Sequence, residues 1–209
     1  VQRDRRDVDD VIRMCRRRIR VPDQWYGDYL AMVGAARIGE AGLVDLCERY
    51  GLDQVRAFIR EWFDYSERKM AHAIRQMPAG TITGHGRHDP IGDLFPDGIP
   101  INVTITVDPE AARVTLDLRD NIDCIPAGLN ESEACTVSNV MTGLFNSLEP
   151  GIPANSGAFR RIDLLLRDNC IVGRPSFPHS TSVATTNVGD RLVVTTQKAI
   201  ADAWEGFGV

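Results

Sequence analysis

The hydrophobic period of this 209-residue chain changes once, and that change constrains the fold more than any other feature. Up to Met77, apolar residues recur every three or four positions, the spacing of one helix face. From Ile101 they alternate instead. Ile101, Val103, Ile105 and Val107 are separated by polar residues, and so are Val114, Leu116 and Leu118. A period of two belongs to a strand with one dry face, and the turn-forming Asp108–Ala112 between the two runs predicts a β-hairpin. The pattern predicts an α+β fold, with residues 1–80 helical, 81–100 a loop, and 101–209 mixed, its antiparallel strands packed on helices.

Within the helical part, Val8, Val11, Ile12, Cys15 and Ile19 predict a first helix that Pro22 closes. A second, Asp28–Tyr50, carries Leu30, Val33, Ile38, Leu43 and Leu46 but is interrupted by Gly34, Gly39 and Gly42. Each internal glycine costs about 1 kcal/mol relative to alanine. The three together predict close backbone packing there, or a break near Gly39. A third helix, capped by Asp53, places Val55, Phe58, Ile59, Trp62, Phe63, Met70, Ile74 and Met77 on one face until Pro78-Ala79-Gly80 ends it. Further on, Asn130 and Glu133 resemble a capping box that opens a helix through Leu148. Ile162–Arg167 reads as a strand, and a last helix ends near Trp204.

Composition excludes several classes. A net charge of −5 argues against nucleic acid as the main partner, because phosphate binding needs a positive surface. Residues 1–20 are nevertheless basic, with eight arginines against four aspartates, as in a solvated or partner-facing helix. No apolar run approaches the roughly 20 residues of a membrane span, so no membrane association is expected. The five cysteines are odd in number and form no CxxC pair, which argues against disulfide and zinc frameworks and predicts a cytoplasmic location.

Three stretches could carry chemistry. "HGRHDPIGD" offers His85, His88 and Asp89, a ligand set some metals accept, but a solvated polar loop is the preferred reading. "HSTSVATTNVGDR" places Ser180, Thr181, Ser182, Thr185, Thr186 and Asn187 before a helix, where they could hold an anion or simply cap the helix. "PANSGAFRRIDLLLRDNC" runs two arginines into the start of a strand. If extended there, Arg160 and Arg161 point to opposite faces, so that one could meet an anion or a partner carboxylate. A solvated charge pair at a strand end explains them equally. His179–Ser180 lacks an orienting acid, and without a P-loop or a GxGxxG motif no nucleotide site is expected on this chain.

Taken together, these segments resemble the hydantoinase B/oxoprolinase family. "WYGDYLAMVGAARIGEAGLVDLCERYG" is similar to its Gly-Asp helix ending in Arg-Tyr-Gly, and "YSERKMAHAIRQMPAGT" to its next helix and Pro-x-Gly stop. "VTITVDPEAARVTLDLRDN" followed by "PAGLN" resembles its hairpin and Gly-x-Asn helix start. "IPANSGAFRRIDL" resembles its Pro-x-Asn-x-Gly-x-Phe-Arg loop, and "SVATTNVGDRLVVTTQKAI" its last helix entry. The phrase "VPDQWYGDYLAMVGAARIGE" leans toward the acetone and acetophenone carboxylase branch.

The resemblance implies a hetero-oligomer in which an actin-like ATPase subunit of the hydantoinase A type uses ATP to phosphorylate an amide or enolate oxygen. A subunit of the type this chain resembles then completes carboxylation or hydrolysis of a small-molecule substrate. A non-catalytic scaffold and interface module is the alternative. On the matching motifs, Arg160 and Asn187 are the candidate catalytic residues, and Asn155, Gly157 and Asn130 the candidate substrate-binding residues. The family's His-His-x-Asp-x-Gly-Gly metal motif belongs to an N-terminal half not found here, so any divalent metal is expected there and none on these residues. "RHDPIGD" imitates that motif downstream, in the wrong order. The chain therefore reads as a middle segment of a longer subunit.

Overall fold

Two adjacent residues with positive φ, Asp4 and Arg5, turn the chain between β1 (Gln2–Arg3) and β2 (Arg6–Asp7), a hairpin that the charged sequence does not advertise. The structure, a computed structural model, describes residues 1–182, 186–205 and 207. The chain divides into two compact units, Val1–Ile59 and Arg60–Val209.

In the first unit, α1 (Asp9–Arg18) has aspartates in its first turn and arginines in its last, each complementing the helix dipole. Pro22 does not merely close α1. It sits in the first turn of α2 (Pro22–Tyr50), where its missing N–H costs nothing. The expected break at Gly39 is absent, because α2 is one continuous helix. A Cβ at Gly34, Gly39 or Gly42 would meet nothing, so the expected close packing is absent as well. Gly51, with φ of 86°, ends α2, and α3 (Leu52–Gln76) begins at once. Asp53 falls inside the first turn of α3 rather than capping it.

The second unit holds the main core. Met70 and Ile74 of α3 are completely buried in it, together with Met77 just beyond the helix. A four-stranded sheet runs in the order β3 (Gly80–Arg87), β4 (Pro100–Asp108), β5 (Arg113–Asp117), β6 (Ile162–Leu165). The hairpin read from sequence is β4–β5, with Ile101, Val103, Ile105, Val114 and Leu116 fully buried on one face. Two features differ from expectation. Residues 81–100 are not all loop, since β3 pairs along its whole length with β4. And β6 joins β5 in parallel, because the chain crosses over through α4 (Glu133–Asn146) and the short α5 (Ser156–Phe159) before it returns.

The last helix, α6 (Val188–Ala203), packs on β3, β4 and α4, and it does so closely. A Cβ on Gly84 would lie 2.7 Å from Ala199 Cβ, and one on Gly143 of α4 2.6 Å from Thr196 Cβ. A Cβ on Gly86 would overlap Thr195 Oγ1, which is already bonded to Arg191 O. Glycine is required at these positions because other side chains occupy the space its own would need.

Alanine should therefore act with opposite signs in the two units. Gly86→Ala is expected to lower stability by about 1–3 kcal/mol through overpacking. Gly34→Ala, on an open face of α2, is expected to strengthen that helix by up to about 1 kcal/mol. Denaturant unfolding followed by helical circular dichroism checks both.

Candidate functional site

Of the five candidate residues, all in the second unit, three fall together. Asn155, Gly157 and Arg160 belong to a clasp between the segment 153–161 and α3. Asn155 is the N-cap of α5, its Oδ1 accepting from Gly157 N at 2.9 Å and Ala158 N at 3.4 Å. Its Nδ2 donates to Ser66 Oγ at 2.8 Å, and Ser66 Oγ donates to Trp62 O at 2.8 Å. Gly157 lies against α3 so tightly that a Cβ would overlap the carbonyl of Phe63.

The arginines do not diverge as an extended chain would make them. Arg160 still has helical dihedrals (φ −59°, ψ −18°), so alternation begins only at Ile162. Arg160 Nη1 donates to Asp64 Oδ1 at 2.8 Å and to Glu67 Oε2 at 2.9 Å, while Arg161 Nη2 lies 2.8 Å from Glu67 Oε1. The hydrogen bond from Arg160, with the charge of Arg161 behind it, holds the Glu67 carboxyl below its ordinary range. Both arginines thus meet carboxylates of their own chain.

Behind the clasp, the ring of Phe159 meets Phe145 edge-on, with centroids 5.8 Å apart. Beside them lies a groove of about 480 Å³ along α4, walled by Val137, Met141, Phe145, Ala154 and Phe159 and edged by Ser138, Thr142 and Asn146. Among the described residues, no charged side chain lines it. Such a surface suits a small neutral molecule with an apolar body and one or two hydrogen-bonding groups.

Asn130 and Asn187 lie elsewhere. Asn130 is fully buried and stitches loops together. Its Oδ1 accepts from Ile125 N at 2.7 Å, and its Nδ2 donates to Ile125 O, Ala127 O and Ser180 O at 2.9–3.0 Å. Its side chain is thus bonded to four backbone groups of its own chain. Asn130 does not cap α4. Ser132 does, accepting from Cys135 N. Asn187 precedes α6 without capping it, and its Oδ1 accepts from Thr186 Oγ1 at 3.2 Å. In the hydroxyl-rich loop, Ser180 and Ser182 bond each other at 2.6 Å, while Thr185 lies outside the described residues. His85 bonds Asn102, His88 bonds the carbonyl of Asp89, and among the described residues no three metal-ligating groups converge.

The residue that sequence reasoning missed is Glu131. Its side chain is fully buried, bonded by Thr136 Oγ1 at 3.4 Å and by Asn139 Nδ2. Burial without a countercharge pushes its carboxyl up to about 7, against which the two hydrogen bonds pull only partly. Its only sequence signal is a Glu directly before a capping Ser, which reads as ordinary helix-start acidity.

Because the native state holds this proton more tightly than the unfolded chain, the associated stability is full below about pH 4.5 and is lost as pH rises through about 7. The loss amounts to about 3 kcal/mol. Glu131→Gln should remove that slope, so urea midpoints of the two proteins should diverge between pH 5 and 8, with the variant more stable at the alkaline end. Parallel midpoints would contradict the burial argument.

Comparison with known proteins agrees with this architecture. The B-type chain of a D-/L-hydantoinase, so named by assignment, from Pseudomonas sp. (strain NS671) is 32% identical over 88% of this chain. The beta chain of the caprolactamase of Pseudomonas jessenii is 28% identical over 85% of it. The crystal structure of the ATP-dependent caprolactamase from that organism superposes with a TM-score of 0.75 at 23% identity, over 95% of this chain and 34% of that one. This chain spans about a third of its relatives, 32% of the first and 30% of the second. The family model described as Hydantoinase B/oxoprolinase matches residues 1–206, and the chain belongs to that family.

Proposed function

We propose that this chain is part of the subunit that receives the substrate in an ATP-dependent complex opening cyclic amides, alongside an ATPase subunit of the hydantoinase A type. The observation that carries the reading is the uncharged groove along α4, between Met141, Phe145 and Phe159 and the hydroxyls of Ser138 and Thr142. A lactam or hydantoin ring presents an apolar body and one amide edge. The groove offers an apolar wall and a polar rim of matching size.

An unstrained amide carbonyl is a poor electrophile. In this reading the ATPase subunit would transfer a phosphoryl group from ATP to that oxygen, releasing ADP. Water would add to the activated carbon, and the ring C–N bond would break as nitrogen takes up a proton. A second water would release phosphate from the acyl phosphate so formed, with the groups that stabilise this charge lying in other parts of the complex. Within this division Asn155, Gly157 and Arg160 are positioning residues. They fix segment 153–161 so that Ala154 and Phe159 form one wall of the groove. Asn187 and the loop before it carry no role in this reading. The greater sequence similarity to hydantoinase and caprolactamase chains supports amide opening over ketone carboxylation. The acetophenone carboxylase delta subunit of Aromatoleum aromaticum is 24% identical, over 79% of this chain and 24% of that one.

The test is an NMR titration of this chain with caprolactam, hydantoin and acetone. Shifts confined to Val137, Met141, Phe145 and Phe159, seen with the ring amides and abolished by Thr142→Trp, are expected. Shifts with acetone alone would favour the ketone branch, and no shifts in the groove would overturn its assignment.

A second reading, an interface module, is favoured by the first unit. Its buried apolar residues are Ile12 and Tyr29, while α2 exposes Leu30, Met32, Ile38, Leu43, Val44 and Leu46, and Arg17 and Arg18 of α1 face solvent. In this second reading that surface would meet the ATPase subunit. Arg17→Glu with Arg18→Glu is expected to abolish capture of that subunit while leaving caprolactam binding in the groove intact.

A further inference from the structure

The polar rim of the α4 groove is a single row. Ser138, Thr142 and Asn146 follow one another at four-residue steps, the spacing that aligns side chains along one helix face. Their chemistry differs. The Thr142 hydroxyl donates its proton to Ser138 O at 2.8 Å, which leaves it only lone pairs for a ligand. Ser138 presents a single oxygen. Asn146, the last residue of α4, carries a carboxamide, with an acceptor and an N–H donor side by side in one plane.

That carboxamide is uncommitted. Asn102, Asn121, Asn130, Asn139 and Asn155 all donate side-chain N–H groups to partners inside the fold. Asn146 is exposed at the groove edge, and among the described residues its side chain has no bonding partner. Next to it in sequence is Phe145, whose ring meets Phe159 edge-on across the groove. One end of the groove thus joins an aromatic wall to a two-point hydrogen-bonding group.

We propose that Asn146 reads the cis amide of a small ring, its Oδ1 accepting from the ring N–H while its Nδ2 donates to the ring carbonyl. This role rests on the reading of the groove as a site for cyclic amides. A small ring forces its amide cis, so N–H and C=O lie on one edge and match the carboxamide plane. An open-chain secondary amide, like an ordinary peptide bond, is trans. Its N–H and C=O point in opposite directions, and one carboxamide can meet only one of them. Acetone offers an acceptor alone. The contact therefore selects a lactam or hydantoin against both peptide-like amides and ketones. It also leaves the second lone pair of the ring carbonyl oxygen open to phosphoryl transfer. Opening a lactam separates the two groups, the nitrogen becoming an amine and the carbonyl a carboxylate. The product loses the two-point contact and finds no countercharge in the lining, so it leaves.

An NMR titration of this chain with three ligands of similar size tests the role. They are caprolactam, N-methylcaprolactam, which lacks the N–H, and N-propylpropanamide, an open-chain trans amide. Caprolactam is expected to bind about fivefold tighter than either of the others, read at Val137, Met141, Phe145 and Phe159. Asn146→Ala should weaken caprolactam by about the same factor and erase the preference. Asn146→Asp, which sets an oxygen against the ring carbonyl in place of the donor, should weaken it at least as much. Neither variant removes a bond of the fold. N-methylcaprolactam bound as tightly as caprolactam, or an Asn146→Ala chain that binds caprolactam like the wild type, overturns the proposal while the groove keeps its assignment. Caprolactam that shifts none of the groove residues overturns the groove reading, and the role of Asn146 with it.

Discussion

The close seating of α6 is the constraint on which the second unit depends. Thr195, Thr196 and Ala199 present a ridge of small side chains, and Gly84, Gly86 and Gly143 open the space it fills from two sides. Thr195 and Thr196 are buried hydroxyls, yet each is satisfied by bonding back to its own helix, at Arg191 O and Leu192 O. The helix can therefore approach strand and helix backbones without leaving a polar group unpaired. Van der Waals attraction falls steeply with separation, so this close contact does the work that large side chains perform elsewhere in the core. It also keeps the α6-facing side of β3 free of bulky groups near Gly84 and Gly86.

Around that rigid centre, polar residues fix the loops. Asn130 closes the 125–130 turn on itself and ties it to Ser180, while Asn155 ties segment 153–161 to Ser66. The Arg160–Asp64–Glu67–Arg161 cluster adds to the second of these. Its members are partly exposed, and isolated exposed pairs contribute less than about 1 kcal/mol each. The shared Glu67 and the two-point hold on Arg160 matter more for geometry than for stability. They keep Phe159 pressed against Phe145 and so keep the groove open beside it.

Much of this was legible in the sequence. Alternation located β4 and β5 to within two residues, and helical periodicity found α3 and the end of α6. The strand β3 escaped because its inward positions are Ile82, Gly84 and Gly86, so the period of two is carried by absent side chains rather than apolar ones. The continuity of α2 escaped for the opposite reason. Glycines that suggest contact in a packed helix here line an open face. The site residues were found as conspicuous polar letters in turn-rich stretches. That signal cannot tell a side chain aimed at a ligand from one bonded to the backbone, as Asn130 is at four backbone groups.

The same limit explains why Glu131 and the groove carried no signal. A buried acid differs from an exposed one in its surroundings and not in its letter, and Val137, Met141 and Phe145 look like any core stripe at helical spacing. Only the clasp separates them, by holding Phe159 across one side of α4 so that part of an ordinary helix face becomes a wall. Among the described residues, the lining of a groove made this way has no charged group to activate a substrate. In the proposed complex that places activation with ATP and its subunit, and leaves this chain to bind and orient a neutral molecule. A lining that carried a permanent charge would hold the phosphorylated and the neutral forms with very different strength, and an uncharged one favours neither before the phosphoryl group arrives.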